Sequence, residues 1–94
     1  MIILIHRWRI PVEQKEEFQS DWKKLTEQVR TIYGAVQATL FMSELGDHVA
    51  IVAWPTIDAW RAWVKEMADH PLRQKYREYR TPGPEILEPL VAFP

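Results

Sequence analysis

The spacing of hydrophobic residues changes along this chain between the periods typical of strands and of helices, in the order strand, helix, strand, strand, helix, strand. Residues 2–10 are rich in β-branched and aromatic types and stop at Pro11, which cannot donate to a sheet, so we predict the first strand there. Residues 35–43 and 48–54 flank a short polar connection that contains Gly46. They are predicted to form a hairpin.

Two segments show the three- and four-residue spacing of amphipathic helices. The first begins at Glu13, and Gly34 follows its last apolar residue, as expected of a C-cap. Its predicted buried stripe consists of Phe18, Trp22, Leu25, Val29 and Ile32. The second helix begins after Thr56, a predicted N-cap. Its predicted buried face consists of Ile57, Trp60, Trp63, Val64 and Met67.

Proline punctuates the last part of the chain. Pro71 suits a first helical position but not a helix interior, so it is predicted to start a new helical segment over residues 72–79. The apolar stretch 85–93 is the predicted fourth strand. His70, directly before this proline, is interpreted as a capping or exposed residue, and His48 at the mouth of the hairpin as an exposed one.

The order β-α-β-β-α-β predicts an α+β fold of the ferredoxin-like, split βαβ type. In it, right-handed crossovers place both helices on one face of a four-stranded antiparallel sheet. Strands covered on one face alternate apolar and polar residues, yet residues 1–5 and 49–54 are apolar at every position. We therefore predict that a second copy covers the other face, giving a homodimer with its sheets face to face.

The composition limits the possible partners. With 47% hydrophobic and 27% charged residues and a formal net charge of -1, residues 1–94 are predicted to form a single globular domain that binds neither nucleic acid nor a membrane surface. The chain has no cysteine, and its three histidines lack metal-ligand spacing, so no metal is predicted. No apolar run approaches the ~20 residues of a membrane helix, which favours a cytoplasmic location.

Two runs of residues resemble a known family. Residues 9–12 (Arg-Ile-Pro-Val) lead into residues 16–18 (Glu-Glu-Phe) and Trp22, and residues 53–63 read Ala-Trp-Pro-Thr-Ile-Asp-Ala-Trp-Arg-Ala-Trp. Over nearly the whole chain this is similar to the antibiotic-biosynthesis-monooxygenase-like group, although Glu13 stands where many relatives have a turn glycine. The resemblance implies a dimeric α+β barrel. Relatives include cofactor-independent oxygenases of polycyclic aromatics and haem-degrading enzymes, so the family alone does not define a reaction.

His6 is the first candidate catalytic residue. Alternation along the first strand places Ile2, Leu4, His6, Trp8 and Ile10 on the face beneath the helices. On that face His6 is the one titratable group of an apolar wall, where it can act as a base or a hydrogen-bond donor. The alternative interpretation is a core histidine bonded to a backbone carbonyl. In the resemblance, His6 falls where haem-degrading relatives have an asparagine.

Tryptophans supply the second set of candidates. Trp63 matches the second-helix tryptophan of the same relatives, and its indole N–H is a candidate catalytic donor. The predicted binding wall around it consists of Trp8, Trp54, Trp60 and Met67. The alternative is that these side chains simply fill the core. Haem-degrading relatives also have an axial histidine about ten residues after this tryptophan, where this chain has Arg73.

The segment after Pro71 alternates inward-facing and basic residues. Tyr76 is predicted to face inward and to act as a second catalytic donor, while Arg73 is a candidate for binding an anionic or phenolic group at the mouth of the pocket. The alternative is a solvated basic face whose cations suit a helix C-terminus.

Three functions remain open from the sequence. The first, implied by the resemblance, is a monooxygenase that uses no cofactor and acts on a small aromatic or polycyclic phenol or quinol in a cleft between sheet and helices. The second is a non-catalytic module that binds a small aromatic or apolar ligand on the same dimeric fold. The third is haem binding or degradation. The residues alone leave open whether the protein is an enzyme.

Overall fold

The computed structural model describes residues 1–34 and 37–81, together with the backbone of residues 85–86. Its sheet contains four strands, which are β1 (Ile2–Trp8), β2 (Gln37–Met42), β3 (His48–Trp54) and β4 (Glu85–Ile86). Their order in the sheet is β2-β3-β1-β4, and every pair is antiparallel. Residues 35–36 and 87–93 of the predicted second and fourth strands lie outside the described residues.

The helices begin and end close to the predicted positions. A 3₁₀ turn over Val12–Gln14 leads into α1 (Lys15–Tyr33), and Gly34 ends it with a left-handed φ of 72°. The second helix is α2 (Ile57–Glu66), and the Oγ1 of Thr56 accepts a hydrogen bond from the N–H of Ala59 at 3.1 Å.

The predicted segment after Pro71 is shorter and is split in two. The helix α3 (Pro71–Lys75) is followed by a 3₁₀ turn over Arg77–Tyr79. His70 caps α3, because its Nδ1 accepts a hydrogen bond from the N–H of Leu72 at 3.1 Å. The capping interpretation of His70 is therefore confirmed.

The strand register determines which residues face the helices. Ile2 pairs with Trp54 and His6 with Ala50, so the even-numbered residues of β1 and β3 share one face, and the helices pack on it. The opposite side, which we call the open face, is apolar as well. It includes Ile3, Ile5, Val49, Ile51 and Phe41, all at least partly exposed, together with the polar residues Arg7, Gln37 and Thr39. The fold is thus α+β and ferredoxin-like, with helices on one face of an antiparallel sheet.

Two groups of buried side chains fill the space between helices and sheet. The Trp63 cluster contains Ile2, Leu4, Val29, Ala38, Val52, Trp54 and Trp63. The Tyr76 cluster contains Ile10, Phe18 and Tyr76, with Trp8, Leu40 and Tyr79 packed against it. Trp22 of α1 packs against both clusters, so they meet under the middle of that helix.

Two burial predictions were wrong. Ile32 is 66% exposed, because after Val29 the buried stripe of α1 steps four residues to Tyr33, and successive helix residues point about 100° apart. His48 is only 1% exposed. The hairpin turn is already closed by Ser43 and Asp47, so His48 is the first residue of β3 and faces α1.

Within the described part of the chain, no helix has both the length and the hydrophobicity that crossing a membrane requires.

Candidate functional site

A cavity of about 310 Å³ lies between the sheet and the helices, where the Trp63 and Tyr76 clusters meet. All three predicted catalytic residues and three of the predicted binding residues line it. These six are His6, Trp8, Trp54, Trp63, Arg73 and Tyr76. Trp60 and Met67, also predicted to bind substrate, pack against the Trp63 cluster and are not among the lining residues. The cavity therefore brings together side chains from β1, β3, α2 and the α3 segment.

His6 reaches the cavity because its partner across the sheet is Ala50, whose small side chain leaves space above it. The imidazole stacks on Trp8, with ring centroids 5.9 Å apart. Burial, together with the charges of Arg80 and Arg73, lowers the pKa of His6 to about 3. At neutral pH His6 is therefore an uncharged imidazole, with one ring nitrogen that donates and one that accepts.

Tyr76 is held by a hydrogen-bond network that joins α1 to the α3 segment. Its hydroxyl donates to Oδ2 of Asp21 at 2.6 Å, and Nζ of Lys75 donates to the same oxygen at 3.0 Å and also contacts Glu17. Burial and the bond to Asp21 raise the pKa of Tyr76 to about 12, and the same bond lowers the pKa of Asp21. The Tyr76 proton is thus engaged with Asp21, which differs from its predicted role as a donor to the substrate.

On the tryptophan side of the cavity, in contrast, the buried N–H groups lack hydrogen-bond partners within the described residues. The rings of Trp54 and Trp63 lie 5.9 Å apart and are tilted by 46°. The Nε1 atoms of both are buried and have no hydrogen-bond partner within the described residues, as is also true of Trp60. Arg73 lies over the Trp63 ring, 4.7 Å from its centroid, and its Nη1 donates to the carbonyl of Val64 at 3.3 Å.

Comparison with known proteins identifies the family of this chain. The model of the antibiotic biosynthesis monooxygenase family matches residues 1–79, most of the chain. The chain belongs to that family. Among curated proteins, none matches the sequence significantly.

Solved structures similar to this antibiotic biosynthesis monooxygenase family member share its fold at low identity. SnoaB, a cofactor-independent oxygenase from Streptomyces nogalater, has a TM-score of 0.80 at 20% identity, covering 99% of this chain and 96% of its own. Rv0793 from Mycobacterium tuberculosis has a TM-score of 0.77 at 16% identity, covering 97% and 96%. An antibiotic biosynthesis monooxygenase has a TM-score of 0.73 at 18% identity over the full length of both chains. At such identities the likeness supports the fold and not a substrate.

Sequence reasoning missed three charged residues of this family member's cavity. Asp21, Arg77 and Arg80 all line it. Asp21 lies three positions after Phe18 and directly before Trp22, so its place on the buried stripe of α1 was a usable signal. The two arginines gave no such signal, because a run of basic residues usually marks a solvated surface. Within the described residues, no group of three or more possible metal ligands is placed to bind an ion.

Proposed function

We propose that this protein is a homodimeric oxygenase that needs no cofactor and acts on a small aromatic phenol or quinol bound in the cavity. The observation that carries the proposal is a cavity of about 310 Å³ with aromatic walls, an uncharged imidazole and unpartnered indole donors. Membership of the antibiotic biosynthesis monooxygenase family supports the same reaction class. Such chemistry asks little of the protein, because the substrate itself is the reductant.

The proposed reaction converts a phenol and dioxygen into a quinone and water. The phenol loses its proton, and the resulting anion passes one electron to dioxygen. The phenoxyl radical and superoxide then join through a new carbon–oxygen bond, and the first proton returns to the peroxide. Loss of the proton on that carbon breaks the oxygen–oxygen bond, which leaves the quinone oxygen and releases water. The protein has to stabilise the anion, hold a proton and exclude bulk solvent.

His6 is the proposed proton acceptor. Its neutral form, favoured by burial and by the nearby arginines, is the form that a base needs. The cationic side chains that lower the pKa of His6 also stabilise a phenolate bound beside it, since they favour negative charge. The negative charge of that phenolate then raises the proton affinity of the imidazole. Proton transfer and anion formation therefore assist each other.

Trp63 and Trp54 are the proposed donors to the substrate oxygen or the peroxide. Both side chains line the cavity, and their buried Nε1 atoms have no partner in the described part of the chain, which leaves these donors free for an oxygen of the substrate. Tyr76 is proposed to form the opposite wall, with its ring held by Asp21. Arg73, stacked on Trp63, supplies positive charge on the tryptophan side.

The oxygen-consumption assay tests this function. At micromolar protein we expect uptake above the blank with at least one member of a panel of hydroquinones and naphthols. His6→Ala is expected to abolish that uptake. His70→Asn, which keeps the cap on α3 and changes a histidine outside the cavity lining, is the matched control and is expected to retain it. If no compound is consumed by the wild-type protein, the oxygenase proposal is wrong.

One observation favours a second candidate, a binding module without turnover. A pKa of about 3 makes His6 a weak base in the ligand-free protein. This candidate predicts saturable ligand binding that His6→Ala leaves intact, with no oxygen uptake by either protein.

The homodimer is proposed from the open face. Ile3, Ile5, Val49 and Ile51 form an apolar surface on the strands, and a second copy of the sheet would bury it. We expect light scattering to give twice the 11.2 kDa mass of one chain at micromolar concentration. Ile51→Glu, at the centre of this surface, should shift the protein to the monomer. Thr31→Glu on the exposed side of α1 is the control and should not.

A further inference from the structure

The tryptophan side of the cavity contains N–H donors without acceptors. Trp54 is 2% exposed and Trp63 is 9% exposed; both line the cavity, and their buried Nε1 atoms have no partner in residues 1–34 and 37–81. The lining carboxylate, Asp21, already accepts from Tyr76 and Lys75. A buried donor without an acceptor costs free energy, so the ligand that suits this wall brings acceptors of its own.

The charged residues that line the cavity are mostly cationic, with Arg73, Arg77 and Arg80 against the single carboxylate Asp21. A guanidinium has five N–H donors, and among the described residues Arg73 uses one of them, on the carbonyl of Val64. In the described part of the chain, neither Arg73 nor Arg77 forms an ion pair with a carboxylate, whereas the charge of Asp21 is offset by Lys75. Burial and the neighbouring charges of Arg80 and Arg77 lower the pKa of Arg73, which is a sign that its positive charge lacks compensation. An anion placed beside Arg73 would supply that compensation.

The size of the cavity limits the ligand as well. An apolar cavity of roughly 150 Å³ holds one benzene ring. The cavity here, at about 310 Å³, is about twice that size. It therefore suits one or two aromatic rings with a small substituent.

We infer that the ligand of this cavity is a one- or two-ring aromatic carboxylate, bound with its carboxylate against Arg73 on the side of the cavity that Trp54 and Trp63 line. The planar fork of a guanidinium matches a carboxylate with two parallel hydrogen bonds, and its stacking on Trp63 orients that fork. The ring then lies between the Trp63 and Tyr76 clusters. This inference rests on the proposed function only in taking the cavity as the ligand site, and it adds an acid group to the proposed phenol or quinol.

Calorimetric titration at pH 7 tests the inference with two probes of equal shape. The probes are 2-naphthoate, which is ionised, and 2-naphthamide, which is neutral. We expect the acid to bind at least ~10-fold more tightly than the amide, a preference of about 1.4 kcal/mol. Equal binding of the two, tighter binding of the amide, or no binding of either would overturn the inference.

Substitutions at Arg73 locate the preference. Arg73→Gln is expected to bring the acid-to-amide ratio to within ~2-fold, and Arg73→Lys, which keeps the charge but not the fork, to an intermediate value. Arg61→Gln is the matched control, since Arg61 is exposed on α2 and contacts only Asp58 among the described carboxylates. It should leave the ratio unchanged.

A folded Arg73→Gln protein that keeps the wild-type ratio would also overturn the inference. If far-UV circular dichroism shows that this variant is unfolded, Arg77→Gln takes its place, with an expected twofold or larger fall in the ratio and an unchanged ratio as the contrary result. Failure here differs from failure of the oxygenase proposal. Acid-selective binding without oxygen uptake overturns only the reaction, and oxygen uptake without acid selectivity overturns only the carboxylate.

Discussion

The two clusters that enclose the cavity treat their polar groups in opposite ways. In the Tyr76 cluster the tyrosine hydroxyl donates to Asp21, and the side-chain amide of Gln19 donates to Nε2 of the neighbouring His48 at 3.0 Å. In the Trp63 cluster the N–H groups of Trp54 and Trp63 have no partner within the described residues. The first arrangement satisfies its polar groups within the fold, and we propose that a ligand completes the second.

His48 is an exception to this difference between the two clusters. The Nδ1 atom of His48 is buried and also lacks a partner in the described residues. His48 is not among the residues that line the cavity. Its imidazole packs against Phe18, with the two ring centroids 5.0 Å apart. Burial and the charge of Lys15 lower the pKa of His48, which favours its uncharged imidazole.

The largest expected effect comes from removing the acceptor of the Tyr76 cluster. Asp21→Ala leaves the Tyr76 hydroxyl buried without a partner and Lys75 with Glu17 alone, so we expect a loss of about 3 kcal/mol in the free energy of unfolding. Urea denaturation measures it. Asp58→Ala, which removes an exposed pair with Arg61, should cost less than about 0.5 kcal/mol. Similar losses in the two variants would contradict the assignment of Asp21 to a structural network.

Acidification should destabilise the protein next most strongly. His6 and His48 have lowered pKa values in the folded state, so the unfolded chain binds more protons and stability falls as the pH drops below about 6.5. The pKa of Asp21 is also lowered in the folded state, so its titration adds to the loss of stability only near and below its unfolded pKa of 3.8. Between pH 7 and 4.5 we therefore expect Tm to fall by roughly 5–10 °C.

His6→Gln separates the two histidines in that experiment. It removes the larger of the two titrations and should flatten the dependence of Tm on pH, whereas His70→Asn should leave it unchanged. A Tm that is constant from pH 7 to 4.5 in the wild-type protein would show that His6 is not held neutral by burial.

Removing the Tyr76 hydroxyl should have a smaller effect than removing Asp21. Tyr76→Phe takes one donor from the Asp21 carboxylate but leaves Lys75 in place, so we expect a loss of about 1–2 kcal/mol in the free energy of unfolding. The control is Tyr33→Phe, because Tyr33 bonds to Glu66 at the surface, where water replaces the lost bond. That variant should lose less than about 0.5 kcal/mol by chemical denaturation. Equal losses in the free energy of unfolding for the two variants would contradict a stabilising role for the bond between Tyr76 and Asp21.

The smallest effect is expected at the tryptophan side. Trp63→Phe keeps an aromatic ring and removes a donor that has no protein partner in the described residues, so no hydrogen bond within the fold is lost. We expect 2-naphthoate to bind about 3- to 10-fold more weakly, which calorimetry would detect. The binding of 2-naphthamide should weaken less. Equal weakening of both probes would mean that Trp63 contributes packing alone.

Most of the fold follows from the sequence because hydrophobic periodicity reports which face is buried. The predicted bounds of β3 agree with the structure, and the caps at Thr56, His70 and Gly34 have the expected geometry. Ile32 shows the limit of this reasoning, since an apolar residue at a helix end can point either way and the last turn of packing decides.

The site was less accessible to sequence reasoning. His6, Trp63 and Tyr76 do line one cavity, but the sequence could not reveal that Asp21 accepts the hydrogen bond of the Tyr76 hydroxyl, because that contact joins residues far apart in the chain. The unpartnered indole N–H groups were equally hidden from sequence reasoning. Whether an indole N–H has a partner depends on packing between elements, which no local pattern of residues contains.

The strand order has a consequence for how the molecule assembles. The first strand made is an inner strand of the sheet, and its pairing with β3 joins Ile2 to Trp54. The neighbouring β2–β3 hairpin is closed locally by the turn between Ser43 and Asp47. Since distant pairs form more slowly than near ones, the hairpin is expected to form early and to present the bare edge of β3 until β1 arrives. The chain is thus most prone to aggregate during folding in the interval before β1 pairs with β3.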